Sequence, residues 1–247
     1  MMIFNKLSLM TAGAILTTLG TIATSSSTHA ATTFFGPSPY QSFDDSPLKG
    51  GDYSYFYLED FEDGALNTPG VTASTGQVKG PEPLRDSVDA DDGFVDGKGI
   101  NGYSYYLANN NLIFNFDQNI LGSLPTDAGI TWTDSFPVAD VVFEAFDAGK
   151  NSLGTIVASN LGDGSLDGGT TEDRFFGVFN TDGISAIKIS MPNSNDWEVD
   201  HLQYGLKKSQ PVPEPLTILG SLAAGAIGVG LRQKRQQKLA KKHKSIV

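Results

Sequence analysis

Through the middle of the chain, apolar and polar positions alternate in short runs, and Gly, Asp or Asn closes each run. Residues 53–58 are an aromatic run between Gly50-Gly51 and an acidic turn. Residues 112–116 and 130–133 alternate with period two, the spacing of a half-buried strand. The runs 141–146 and 153–157 flank Asp147-Ala-Gly-Lys-Asn151, and the runs 174–179 and 184–189 flank Asn180-Thr-Asp-Gly183. Each pair predicts a β-hairpin. Residues 197–204 supply a last strand. No stretch carries a sustained helical stripe. Short strands between Gly/Asp/Asn turns predict an all-β fold, an antiparallel β-sandwich or jelly roll over residues 53–205. Residues 31–52 and 206–212 read as linkers.

The two ends follow different rules. Lys6 precedes an uncharged apolar stretch, and Thr28-His29-Ala30 puts small residues at −3 and −1 of a cleavage site. This predicts a secretory signal peptide over residues 1–30, removed by signal peptidase. Near the other end, Val212-Pro213-Glu214-Pro215 precedes the uncharged residues 216–231, then Arg232, Lys234 and Arg235. As a helix that segment rises about 24 Å, short of the ~30 Å hydrocarbon core. It predicts a marginal transmembrane helix with its cations cytoplasmic and the body outside. A basic tail over 236–247 follows.

Composition sharpens this division. The chain has no cysteine and three histidines, so disulfides, thiolate metal sites and histidine-rich metal sites are excluded. Residues 31–210 hold 27 acids and 9 bases, a net −18, which disfavours nucleic acid as a partner.

The order Val-Pro-Glu-Pro, short apolar helix, basic cluster resembles the PEP-CTERM sorting signal, here over residues 212–235. The resemblance implies recognition of Pro213, Glu214 and Pro215 by the membrane protease exosortase. It also implies a precursor anchored in the membrane and a mature form at the cell surface or in the extracellular matrix. The tail through Lys238, Lys241, Lys242 and Lys244 departs from the family, whose members stop soon after the basic cluster. The body is similar to uncharacterised β-sandwich domains of other PEP-CTERM proteins. The similar runs are 61–64, 86–93, 143–147, 172–177 and 197–205; they imply a fold and an extracellular setting but no activity.

Several groups of residues are candidate chemistry. Glu198-Val-Asp200-His-Leu-Gln203 is similar to the Glu-x-Asp-x-x-Glu strand of jelly-roll β-glucanases, where retaining hydrolysis needs two carboxyls about 5–5.5 Å apart. Gln203 stands where the acid/base would be and cannot deliver a proton. Calcium, which takes six to eight oxygen ligands, is the candidate cofactor. Two locations offer carboxylates. One is a seam between first and last strands, with Glu59, Asp60, Glu62 and Asp63 on one side and Asp196, Glu198 and Asp200 on the other. The second is the loop bearing Asp86, Asp89, Asp91, Asp92 and Asp96, which lacks the EF-hand spacing. Solvated turn acids are the alternative at both. Tyr103, Tyr105 and Tyr106 are candidates for stacking on sugar rings or for core packing. His201 is expected at a sheet surface. No Gly-x-Ser-x-Gly elbow accompanies it. The expectation is a non-enzymatic, structural or adhesive surface protein, with extracellular polysaccharide as candidate partner. The alternative is a secreted polysaccharide hydrolase or lyase.

Overall fold

The computed structural model describes residues 31–135, 138–209, 232 and 235–236. Twelve strands run in chain order. They are β1 (Thr32–Pro39), β2 (Tyr53–Glu59), β3 (Val71–Ala73), β4 (Gln77–Lys79), β5 (Ser104–Leu107), β6 (Asn111–Phe116), β7 (Asp127–Ser135), β8 (Ala139–Phe146), β9 (Ser152–Leu161), β10 (Arg174–Asn180), β11 (Ala186–Ser190) and β12 (Trp197–Lys207). Among the described residues of 31–209 helix is confined to single turns, such as Gln118–Leu121. The fold is therefore a two-sheet, all-β sandwich. One sheet has the order β1-β10-β7-β12-β5-β4, with β2 also on β12; the other is β3-β6-β11-β8-β9. All pairs are antiparallel.

Alternation explains the main core. Val141, Phe143 and Ala145 of β8, Leu112 and Phe114 of β6, and Ile187 and Ile189 of β11 are buried against Ile130, Trp132, Phe176 and Val199 of the facing sheet. Each large apolar side chain buried there contributes roughly 1.5–3 kcal/mol.

The seven-stranded sheet is buried on its other face as well. Tyr40, Leu48, Val88 and Phe175 form a second, smaller cluster there, flanked by Phe35 and Phe56. The segments 40–52 and 81–103 cover this face. The rings need room at the backbone: a Cβ on Gly129 would stand 2.3 Å from the Phe175 ring.

Three sequence expectations change. Residues 31–52 are not a linker. They supply β1, paired with β10 from Thr32↔Asn180 to Pro39↔Arg174, and then part of the cover. Gly36 and Pro37 interrupt the alternation of β1 at a register shift and hide it. Residues 206–207 are not linker either. They continue β12, where the Lys207 ammonium meets Asp127 at 2.9 Å. The turn at 180–183 does not close a hairpin. It carries the chain from β10 in one sheet to β11 in the other, and the Ile184 N–H donates to the Pro125 carbonyl. The hairpin at 147–151 forms as expected, with the Asn151 N–H on Asp147 Oδ1 at 2.8 Å.

Candidate functional site

The last strand creates the site. On one edge β12 pairs with β5 from Trp197 to Val199, then with β2 from Leu202 onward. Asp200 and His201 lie at the fork. The register with β7 also shifts between Asp200 and Gln203, and His201 has φ of 45°. This is a β-bulge, the device that re-aims side chains. The extra residue keeps Trp197, Val199, Leu202 and Tyr204 in the main core. Glu198, Asp200 and Gln203 are left to the covered outer face. Phe61, at the nearby turn after β2, also has positive φ, 57°. Two non-glycine residues in this uncommon region therefore flank one site.

A hydrogen-bond chain runs beneath the cover. Gln203 Nε2 donates to the Tyr40 hydroxyl at 2.9 Å, and its Oε1 accepts from Ser46. The Tyr40 hydroxyl reaches His201 Nδ1 at 2.8 Å, and His201 Nε2 lies 2.8 Å from Asp91 Oδ1. Since Tyr40 accepts from Gln203, its own hydrogen serves Nδ1, and Nε2 carries the proton toward Asp91. Asp200 accepts from the N–H groups of Val88 at 2.9 Å and His201 at 2.6 Å. Burial first, then the neighbouring Asp91, raises the Asp200 carboxyl well above the ordinary range. One ligand atom each from Asp91, Asp200 and His201 lies within 4.8 Å of the others.

An open depression of about 460 Å³ lies over this chain. Asp91, His201, Asp60, Glu62, Phe43 and Val95 are among its walls. Glu62 accepts the Tyr103 N–H, and its carboxyl is pushed up to about 7, by burial first and by Asp91 and Asp60 next. Val95 is exposed, and its neighbour Phe94 is 70% exposed.

The candidate calcium residues separate into groups. Glu62, Asp91 and Asp200 converge with His201. Asp89 instead organises its own loop. Its carboxylate accepts from the N–H groups of Asp96, Gly97 and Lys98 and from the Thr170 hydroxyl. Asp92 caps the Phe94 N–H, and Asp96 is exposed. At the seam, Glu59 accepts from the N–H groups of Phe61, Asn67 and Thr68, and Asp63 caps Ala65.

Asp86 belongs to a second group that the sequence reading missed. It lies with Asp173, Glu172 and Asp134, all buried. Tyr40 was missed as well. The run 172–177 holds both Glu172 and Asp173, but nothing in its sequence marks them as buried near Asp86.

His201 is not at a sheet surface; it is 4% exposed, because segments 40–52 and 81–103 cover that face. Glu198 is also covered and pairs with Arg85 at 2.9 Å, and burial pushes its carboxyl up to about 8. Arg85 stacks over Tyr106 at 3.8 Å, while Tyr105 is core. Val212, Pro213, Glu214, Pro215 and Lys234 lie outside the described residues, as do the signal peptide and the helix 216–231. Arg232 and Arg235 are described, helical and exposed. Among the described residues no helix is long and apolar enough to cross a membrane.

Fold and site together define a two-sheet β-sandwich with an acid-rich, covered sheet face. No family model and no curated protein sequence matches the chain. Solved structures do match. The chain is similar to the K2 cleaved adhesin domain of Lys-gingipain at 11% identity and TM-score 0.36, covering 62% of this chain and 99% of that one. It is also similar to the catalytic domain of an α-1,3-glucanase, at 14% identity and TM-score 0.33, covering 67% of this chain and 30% of that one. A third is a carbohydrate-binding module solved with β-1,4-galactotriose, at 12% identity and TM-score 0.26, covering 69% of this chain and all of that one.

Proposed function

We propose that the chain is an exported surface or matrix protein whose sandwich binds glycan without acting on it chemically. The observation that carries this reading is the depression beside His201. Its wall combines Phe43 and Val95 with the carboxylates of Asp60, Glu62 and Asp91. Carboxylates accept hydrogen bonds from sugar hydroxyls, and an aromatic face takes the apolar side of a sugar ring. A site this acidic favours neutral over acidic sugars. Against hydrolysis stands the burial of the glucanase-like residues: Glu198, Asp200 and Gln203 are at most 2% exposed. A polysaccharide does not reach them without removal of the cover.

A glycan array probed with the full-length protein tests this. Binding to neutral oligosaccharides, weakened about tenfold by Phe43→Ala, is expected, since the ring's apolar face is lost. Release of new reducing ends from any array ligand would instead establish the hydrolase alternative.

Export and sorting rest on the sequence alone. Changing Pro213, Glu214 and Pro215 to alanine is expected to hold the precursor in the membrane with its fold intact. Normal release of that variant would remove exosortase as the partner.

A further inference from the structure

The two buried acid groups on the outer face differ in their partners. Around His201 the carboxylates have donors: Asp91 has the imidazole, and Asp200 has two backbone N–H groups. Around Asp86 two of the four do not, while Asp134 accepts from the Ser135 N–H and Glu172 from the Thr171 hydroxyl. Asp86 is 1% exposed and Asp173 0%, and neither oxygen of either carboxylate has a hydrogen-bond partner.

Several nearby donors are already committed. The Gly99 N–H donates to the Gly168 carbonyl, although Gly99 packs so closely that a Cβ on it would stand 2.2 Å from Asp86 Oδ1. Thr133 donates its hydroxyl to the Asp86 carbonyl, not to the carboxylate. The Arg174 guanidinium donates to the carbonyls of Thr171 and Asp173. Arg85 serves Glu198 through its Nη1, while its buried Nε has no hydrogen-bond partner. Among the described residues no Lys, Arg or His pairs with Asp86, Asp134, Glu172 or Asp173. Burial, then Asp86 and Glu172, raises the Asp173 carboxyl well above its ordinary range; burial, then Asp134 and Glu172, does the same to Asp86.

A buried carboxylate with neither donor nor counter-charge is among the most costly arrangements in a protein interior. Such groups must hold protons or meet a cation. We infer that Asp86 and Asp173, with Glu172 and Asp134 beside them, form a site for a hard divalent cation of the calcium class.

The donor set fits that chemistry. All four side chains offer oxygen only, as calcium prefers, and carboxylates from three separate segments supply the charge. The group around His201 fits calcium less well, because it includes an imidazole with both ring nitrogens engaged. Position gives the cation a task. Asp86 belongs to the covering segment 81–103, Glu172 and Asp173 lead into β10, and Asp134 is the penultimate residue of β7. A cation here ties the cover to two central strands. This inference is independent of the glycan reading.

The test uses the full-length protein at pH 7.5. After exhaustive dialysis from chelator into calcium, metal analysis should find one calcium per chain, with Kd at or below about 10⁻³ M. Tm should rise by several degrees in millimolar calcium, but not in magnesium at equal ionic strength. Asp173→Asn should remove both binding and shift, and Glu172→Gln should weaken binding about tenfold or more. Asp91→Asn should leave calcium binding intact. Metal content of the wild type stands even if a variant does not fold. No bound calcium together with equal Tm in calcium, magnesium and chelator would overturn the site and leave the carboxyls protonated. Loss of binding in Asp91→Asn with retention in Asp173→Asn would overturn it in favour of the His201 group.

Discussion

Two acid groups lie under the same cover on the same sheet face, and they are built on opposite principles. At His201 the strand bulges, the imidazole turns under the cover, and each neighbour hands a hydrogen bond to the next from Ser46 to Asp91. At Asp86 the chain is irregular, and the buried carboxylates of Asp86 and Asp173 meet no donor. The first group supplies its own counterparts except at Asp91 Oδ2; the second leaves both carboxylates of Asp86 and Asp173 without any. Buried polar groups within one layer can thus serve as internal wiring or as a receptor, and the donors around them tell which.

The largest effect is expected from cutting the wired group. His201→Ala strands Asp91 and the Tyr40 hydroxyl in a buried setting. It should cost about 3 kcal/mol, the loss of two buried hydrogen bonds with their partners left unmet. Urea denaturation measures it. A loss below about 0.5 kcal/mol would place His201 with the ordinary surface residues.

Acidity sharpens the contrast next. In the folded chain burial holds the Glu62 and Asp134 carboxyls at about 7 and Glu198 at about 8, against ordinary values of 4.5, 3.8 and 4.5. Between roughly pH 4 and 8 the folded state therefore binds more protons than the unfolded state, so stability falls as pH rises. In chelator the urea midpoint should fall steadily from pH 5 to pH 8. Calcium should reduce that slope by supplying charge in place of protons. A midpoint that climbs from pH 5 to 8 in chelator contradicts the raising of these carboxyls by burial.

Asp173→Asn reverses the usual sign of a core polar change. Without calcium it should stabilise by at least about 1 kcal/mol, the worth of roughly one pKa unit, because it removes a charge with no partner. Asp91→Asn should destabilise under the same conditions. Equal signs for the two variants would erase the distinction between the groups. The smallest expected stability effect is that of Phe43→Ala, under about 1 kcal/mol, since the ring is only half-buried; its consequence should appear in glycan binding.

Legibility in the sequence followed the same division. The strands whose alternation faces the main core, such as β6, β8 and β12, could be read directly, because one apolar side per strand leaves a period of two. β1 could not, since Phe34 packs toward the main core while Phe35 packs on the outer cluster and Gly36-Pro37 follows at once. The second buried face was also hidden. Glu198, Asp200 and Gln203 look solvated in a one-sided strand pattern, and only the cover formed by residues far away in the chain buries them. The acids at 86–92 were visible as a cluster. Their division was not, because it depends on Asp134 and Asp173, which come from β7 and from the lead into β10.

The most direct measurement is a crystal structure of the protein grown at pH 7.5 in calcium, with anomalous data collected. A calcium peak between the Asp86 and Asp173 carboxylates, with oxygen ligands at about 2.3–2.6 Å, is the predicted result. A contradicting result would be no ion there, with the two carboxyls in contact through a shared proton or an ordered water. A peak at Asp91 and His201 instead would contradict it equally.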